Sequence, residues 1–189
     1  MAGEVRGGAD VTSDAVAVVD PDPLWPSAYA AVAAEVAPLL GPSLRAIEHV
    51  GSTAVPSLPA KPVIDVMAAL DRLEDAPLDL LAARGFSLRE TGMRDRLFLR
   101  RDAREGTPAI HLHLLPWGGF VASKERRFRD RLRAHPEEAM AYGALKRRLV
   151  LAHSGDADAY TRAKTVLIQE IMDRDSDARG LPRESVWED

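Results

Sequence analysis

Apolar residues first recur at helical spacing at Trp25, Tyr29, Val32, Val36 and Leu39, with Pro26 tolerated in a first turn and Gly41-Pro42 as a stop. This predicts the first helix. Two compact apolar runs follow, Leu44 to Val50 and Pro62 to Leu70, and both read as strands. Between them, STAVPSLPAK is too rich in proline for a long helix but suits one helical turn with exposed amides. Residues Ala76 to Arg84 are helix-like and end at Gly85. Three more runs, Phe86 to Glu90, Arg96 to Arg101 and Ala109 to Leu115, are separated by turn residues and predict a meander of strands.

The period changes in the last third. Ser123 is placed to cap a helix carrying Phe128 and Leu132, and Pro136 opens another after His135. A third is predicted from Asp156 to Met172, with Tyr160, Lys164, Leu167, Ile168 and Ile171 on one stripe. Residues 1–15 and the charged residues 174–189 lack such periodicity and read as flexible tails around one domain over 16–173. The order of helix, strand, strand, helix, three strands and three helices favours an α+β domain with one mixed sheet over a doubly wound parallel sheet. One short echo stands out: Tyr142-x3-Lys146 and Tyr160-x3-Lys164 twice place a tyrosine one helical turn from a lysine.

A chain of 189 residues with 46% hydrophobic content has enough apolar mass for one sizeable core. The absence of cysteine excludes disulfides, thiolate nucleophiles and cysteine-based metal clusters. No stretch approaches the roughly 18 apolar residues of a membrane span, and the acidic, glycine-containing start does not resemble a signal peptide, so a cytoplasmic location is expected. The net charge of -4 conceals an asymmetry, because residues 94–148 carry 14 Lys or Arg against 7 Asp or Glu. That basic middle suits either an anionic ligand or a set of solvated helix faces. Without a recognition motif or stacking aromatics, it does not point to nucleic acid.

Gly51-Ser52-Thr53 follows a strand, where a glycine lets backbone amides approach an anion. It is a candidate phosphate seat, or an ordinary turn with a capping hydroxyl. Asp65 interrupts an apolar strand and needs a cation, a hydrogen-bonding turn, or a partner such as Lys61 or an arginine. On a strand, His111 and His113 share one face and send Leu112 and Leu114 to the other. Two aligned imidazoles can move protons or bind a metal, and they suit zinc better than magnesium. His49 is a third candidate, whereas His135 and His153 sit at helix boundaries. Lys146 and Lys164 lie beside apolar stripes, where they can snorkel or reach a phosphate together with Arg96, Arg126 and Arg129. The chain contains no GxGxxG, GxxxxGK[ST], GxSxG or HExxH.

The strings IEHVGSTAVPSLPAKPVIDVMAAL at 47–70, HLHLL at 111–115, FRDRLRAHPEEAMAY at 128–142 and LKRRL at 145–149, with Y-x3-K at 160–164, together resemble the GrpB family. The resemblance implies a nucleotidyltransferase-like α+β fold: a mixed β-sheet flanked by helices, with a helical C-terminal third. The family's activity is poorly defined. Its members also occur fused to dephospho-CoA kinases, which implies a link to coenzyme A biosynthesis. In the wider superfamily a Gly-Ser turn holds phosphate, while an acid-x-acid strand and a third acid bind two magnesium ions. Gly51, Ser52 and Asp65 match. Met67 replaces the second acid, and His113 stands where the third would be, so the resemblance leaves either a single divalent ion (Mg, Mn or Zn) on Asp65 and His113 or no ion. Ser57 stands where relatives commonly have glycine.

Two functions are therefore expected. In the first, a nucleotidyl or phosphoryl transferase seats a nucleotide or phosphorylated small molecule on Gly51, Ser52, Thr53, Lys61, Arg129, Lys146 and Lys164, with Asp65, His111 and His113 catalytic. In the second, a non-catalytic module binds a nucleotide or coenzyme A-like ligand through the same cradle, or acts as a partner-binding scaffold.

Overall fold

The computed structural model describes residues 17–93, 95–153 and 155–186. The chain runs α1 (Trp25–Leu40), β1 (Leu44–Val50), β2 (Val63–Leu70), α2 (Leu78–Ala83), β3 (Ser87–Arg89), β4 (Leu97–Arg101) and β5 (Ala109–Pro116). Five helices follow: α3 (Trp117–Ala122), α4 (Lys124–Ala134), α5 (Pro136–Ala152), α6 (Ala157–Ala163) and α7 (Thr165–Arg179). The sheet order is β1-β2-β5-β4-β3, with β2 and β5 parallel and the remaining neighbours antiparallel. This is the α+β class with one mixed sheet, including the β3–β4–β5 meander.

Strand alternation separates two kinds of work. Ile64, Val66, Ala68 and Leu70 of β2 join Ile110, Leu112 and Leu114 of β5 in the main core, with Trp25, Val32 and Val36 of α1 and Leu81 of α2. The opposite face carries Asp65 and Met67 on β2, in register with His111 and His113 on β5. Val50, Met67, Ala69 and Leu115 on that face are covered by Phe120 of α3. A third cluster of Val55, Leu58, Leu132, Ala139, Tyr142 and Ile171 fixes the helical third to the β1–β2 connection. It brings α5 over the Gly-Ser turn.

The helical third differs from the expected pattern in three places within 117–164. Trp117–Ala122 forms α3, whose paired glycines hide its helical character although Phe120 is fully covered. The single helix expected from Asp156 breaks at Lys164, which ends α6 and begins α7. Asp156 does cap α6, accepting the Ala159 amide at 2.8 Å. Ser123 occupies the cap position of α4, but its hydroxyl makes no capping bond and is buried without a partner among the described residues.

The expected tail from residue 174 is largely part of the fold. Helix α7 continues to Arg179 because Asp175 and Ser176 are buried, where Arg127 binds both at 2.9 Å. Residues beyond it return along the helix, as Gln169 donates to the Glu184 carbonyl at 2.9 Å and accepts from the Val186 amide at 2.9 Å. The N-terminal tail expected over 1–15 lies outside the described residues.

Ser57 has φ 60, in the left-handed region that favours glycine. Ser57→Gly is therefore expected to raise stability by about 0.5–1 kcal/mol, since the side chain is exposed and loses no buried contact. Urea unfolding reads this directly, and a lower midpoint for the variant would contradict it.

Candidate functional site

The site begins where β1 ends. Gly51 has φ 71, and a Cβ there would collide with the Asp65 carboxylate, so the turn and the acid fit together only with glycine at 51. Asp65 finds its partner across the parallel pair: His111 Nδ1 lies 3.2 Å from Asp65 Oδ1. Thus an imidazole contacts the carboxylate from the neighbouring parallel strand.

The two tyrosine–lysine echoes then converge on this turn. Lys146 Nζ of α5 lies 3.0 Å from Ser52 Oγ and 4.7 Å from the Tyr142 ring centre. Lys164, at the α6–α7 break, lies 4.5 Å from the Tyr160 ring centre, and Lys61 approaches the same ring at 5.5 Å. Ser52, Lys61, Asp65, His111, Lys146 and Lys164 line one cavity of about 150 Å³, with Thr53, Val63 and Tyr160. Thr53 also has a structural task, since its hydroxyl donates to the Val63 carbonyl at 3.0 Å.

Crowding of cations in a poorly hydrated place weakens their hold on protons. Burial, then the neighbouring Lys164, lowers Lys146 to about 7. Burial and Lys61 lower Lys164 to about 8, against the opposing pull of Asp65. Burial raises Tyr160 to about 12 and pushes Tyr142 above its ordinary value. Both phenols therefore stay protonated near neutrality.

Other predicted site residues lie elsewhere. Arg129 is buried in a structural network, donating to Glu48 at 2.7 Å and the His49 carbonyl at 2.8 Å. Arg126 joins the same Glu48 at 2.8 Å, and Arg96 is held by Asp95 and Glu125. These arginines tie α4 to the sheet instead of facing the cavity. His49 points to the α1 side, stacked on Tyr29 at 4.8 Å, with its Nε2 2.9 Å from the Thr53 hydroxyl. His113 sits one pleat beyond His111 against Phe98, and its Nδ1 is buried without a partner among the described residues. Burial chiefly lowers its pKa.

The two-magnesium centre implied by the wider superfamily does not fit this donor set. Met67 is fully buried, and Glu48, paired with it across the sheet, is neutralised by two arginines. Among the described residues, no three histidines, aspartates or glutamates converge as a metal-binding group. A larger hollow of about 570 Å³ lies between α1, α2 and the β4–β5 hairpin. There Arg101 is engaged with Glu35 at 2.9 Å, and the lining residues include no serine–amine or acid–imidazole pair.

Residues 15–174 match the family described as GrpB protein. The chain belongs to the GrpB family. A UPF0157 protein from Pseudomonas aeruginosa is 34% identical over 177 residues, covering 88% of this chain and 70% of that protein. The crystal structure of GrpB from Enterococcus faecalis superposes with a TM-score of 0.76 at 28% identity, covering 87% of this chain and 99% of that one. A dephospho-CoA kinase from Mycolicibacterium paratuberculosis is 29% identical over 79% of this chain, a match spanning 43% of that protein. GrpB membership confirms the resemblance read from the five motifs, while assigning no reaction. Among the described residues, no helix is long and apolar enough to cross a membrane.

Tyr160 was missed as a cavity residue. Its signal was the repeated Tyr-x3-Lys spacing, which places each lysine against its own tyrosine ring.

Proposed function

We propose that this chain binds the phosphate of a nucleotide or other phosphorylated small molecule in the Ser52–Lys146–Lys164 cavity and transfers a nucleotidyl or phosphoryl group from it. The carrying observation is the convergence of three lysines with Ser52 and the Asp65–His111 pair on one small cavity. At about 150 Å³ the cavity is below the usual size of a site enclosing a drug-sized ligand. It suits a terminal phosphate group, with the remainder of the ligand outside.

Charge on the transferring group falls to Lys61 and Lys164, in the manner of electrostatic stabilisation. Asp65 orients His111 through Nδ1, leaving Nε2 as the nitrogen able to accept a proton from an attacking hydroxyl. A non-catalytic reading draws on a specific observation too: Met67 leaves the strand without its second carboxylate. In that case the cavity holds a nucleotide or coenzyme A-like ligand, a class suggested by the dephospho-CoA kinase likeness.

Thermal melting against pyrophosphate, nucleotides, dephospho-coenzyme A and coenzyme A, each with magnesium, manganese, zinc or chelator, tests the reading. A true ligand at one hundred times its dissociation constant adds about 2.7 kcal/mol. Lys164→Met is expected to weaken that ligand about tenfold or more, and Asp65→Asn to remove turnover while leaving binding. No shift with any phosphorylated compound would sink the phosphate reading. Binding without turnover would leave the non-catalytic one.

A further inference from the structure

We propose that Ser52 and Lys146 form a nucleophile–base pair, in which the buried Lys146 amine takes the hydroxyl proton as Ser52 Oγ attacks an electrophilic phosphorus centre in the cavity. The inference rests on the phosphate reading for its natural substrate class, but its geometry stands alone. Lys146 Nζ lies 3.0 Å from Ser52 Oγ, within the range of an activated nucleophile and its base. Lys146 is only 2% exposed, and no carboxylate among the described residues pairs with it. Burying an ammonium without a counter-ion is heavily penalised, so the site favours the neutral amine with its free lone pair.

The groups facing Lys146 reinforce that assignment. On its own helix, Tyr142 offers its ring face, and its hydroxyl is hydrogen-bonded to Ser52. Burial keeps that phenol protonated, so of the two partners of Ser52 only the amine is suited to accept a proton. From the α6–α7 break, Lys164 repels a charge on Lys146. Lys61, Tyr160, Asp65 and His111 complete the cavity's titratable lining. The lysines thus divide their tasks: Lys146 is buried against the serine hydroxyl and lowered to about 7, whereas Lys164 is less buried and has Asp65 opposing the loss of its proton.

In the step, the Oγ–P bond forms and the bond from phosphorus to its leaving group breaks. The leaving group departs with the bonding pair, and the serine proton resides on Lys146. Attack by water or an acceptor hydroxyl then reverses the sequence: the Oγ–P bond breaks, Lys146 returns its proton to Ser52, and His111 takes the acceptor's proton. The serine is regenerated, with no external oxidant or reductant.

A fluorophosphonate probe tests the pair without any knowledge of the natural substrate. Here fluoride is the leaving group, and the adduct is read by intact mass and peptide mapping. One adduct on Ser52 is expected, forming about tenfold faster at pH 8 than at pH 6 as Lys146 loses its proton. Ser52→Ala should abolish it, and Lys146→Met should slow it about a hundredfold or more. The parent protein's pH profile keeps the test decisive if the lysine variant fails to fold. No adduct at Ser52, labelling at another residue instead, or equal rates at pH 6 and 8 would overturn the proposal. A chain that binds pyrophosphate but leaves Ser52 unlabelled keeps the phosphate reading and loses the pair; Ser52 labelling without any phosphate ligand does the reverse.

Discussion

Gly51→Ala is expected to lower stability by about 2–4 kcal/mol and to disable the cavity. Two effects add at this position. A non-glycine residue at φ 71 and ψ -172 sits in a region essentially reserved for glycine, at a cost of about 1–3 kcal/mol. The new Cβ also collides with the Asp65 carboxylate, which must turn away from His111 and give up a charge-assisted contact worth a comparable amount. Gly41→Ala provides the control, because Gly41 has φ 61 but nothing lies within 4 Å of its added Cβ. That variant should show the backbone effect alone. Urea unfolding of both separates strain from collision, and equal losses would show that Asp65 is not wedged against the turn.

Acidification is expected to destabilise the protein in two stages, each with its own residue. Burial lowers His49 from an ordinary 6.5 to about 4 in the folded chain. The unfolded chain therefore binds this proton first, so the His49 contribution is full above pH 6.5 and falls by up to about 3 kcal/mol as pH drops to 4. Glu138 acts lower, because Arg131 and Arg174, each at 2.8 Å, hold it at about 2 instead of 4.5. Its contribution is present above pH 4.5 and is lost as pH falls through 2, again on the order of 3 kcal/mol. Glu138 is only 9% exposed, so solvent screening discounts this little. Unfolding midpoints at pH 7, 5.5, 4 and 3 should show both stages. His49→Gln should flatten the upper one. Glu138→Gln, itself less stable, should flatten the lower one. A parent midpoint unchanged from pH 7 to 4 would refute the His49 assignment.

The sheet was legible because its strands state their environment in residue type. Val63–Leu70 is buried on both faces except at Val63 and Asp65, and AIHLHLLP alternates imidazoles with leucines, which gives both strand character and facing. Asp65 announced itself as a residue needing a partner, but no spacing rule links positions 65 and 111, whose contact follows from the parallel register of β2 and β5. The same limit explains Arg129. A basic run shows where positive charge lies along the chain, yet Glu48, a single acid on β1, determines that Arg126 and Arg129 turn inward. The α6–α7 break was equally hidden, because the apolar stripe runs through Lys164 without interruption. The tyrosine–lysine echo was visible, but its convergence on Ser52 depends on how Tyr142 packs with Val55 and Leu58 from the β1–β2 connection.

That division of the site along the chain imposes an order on biosynthesis. All five strands are complete once Pro116 has left the ribosome, so the Gly-Ser turn, Asp65 and His111 can assemble on a nascent chain. Lys146 and Lys164 emerge only afterwards, on helices that must still dock. An unfinished chain can thus own a sheet, an acid–imidazole pair and Lys61 while lacking the Lys146 amine and the Lys164 charge, and the complete cavity first exists when the last helices have closed over it.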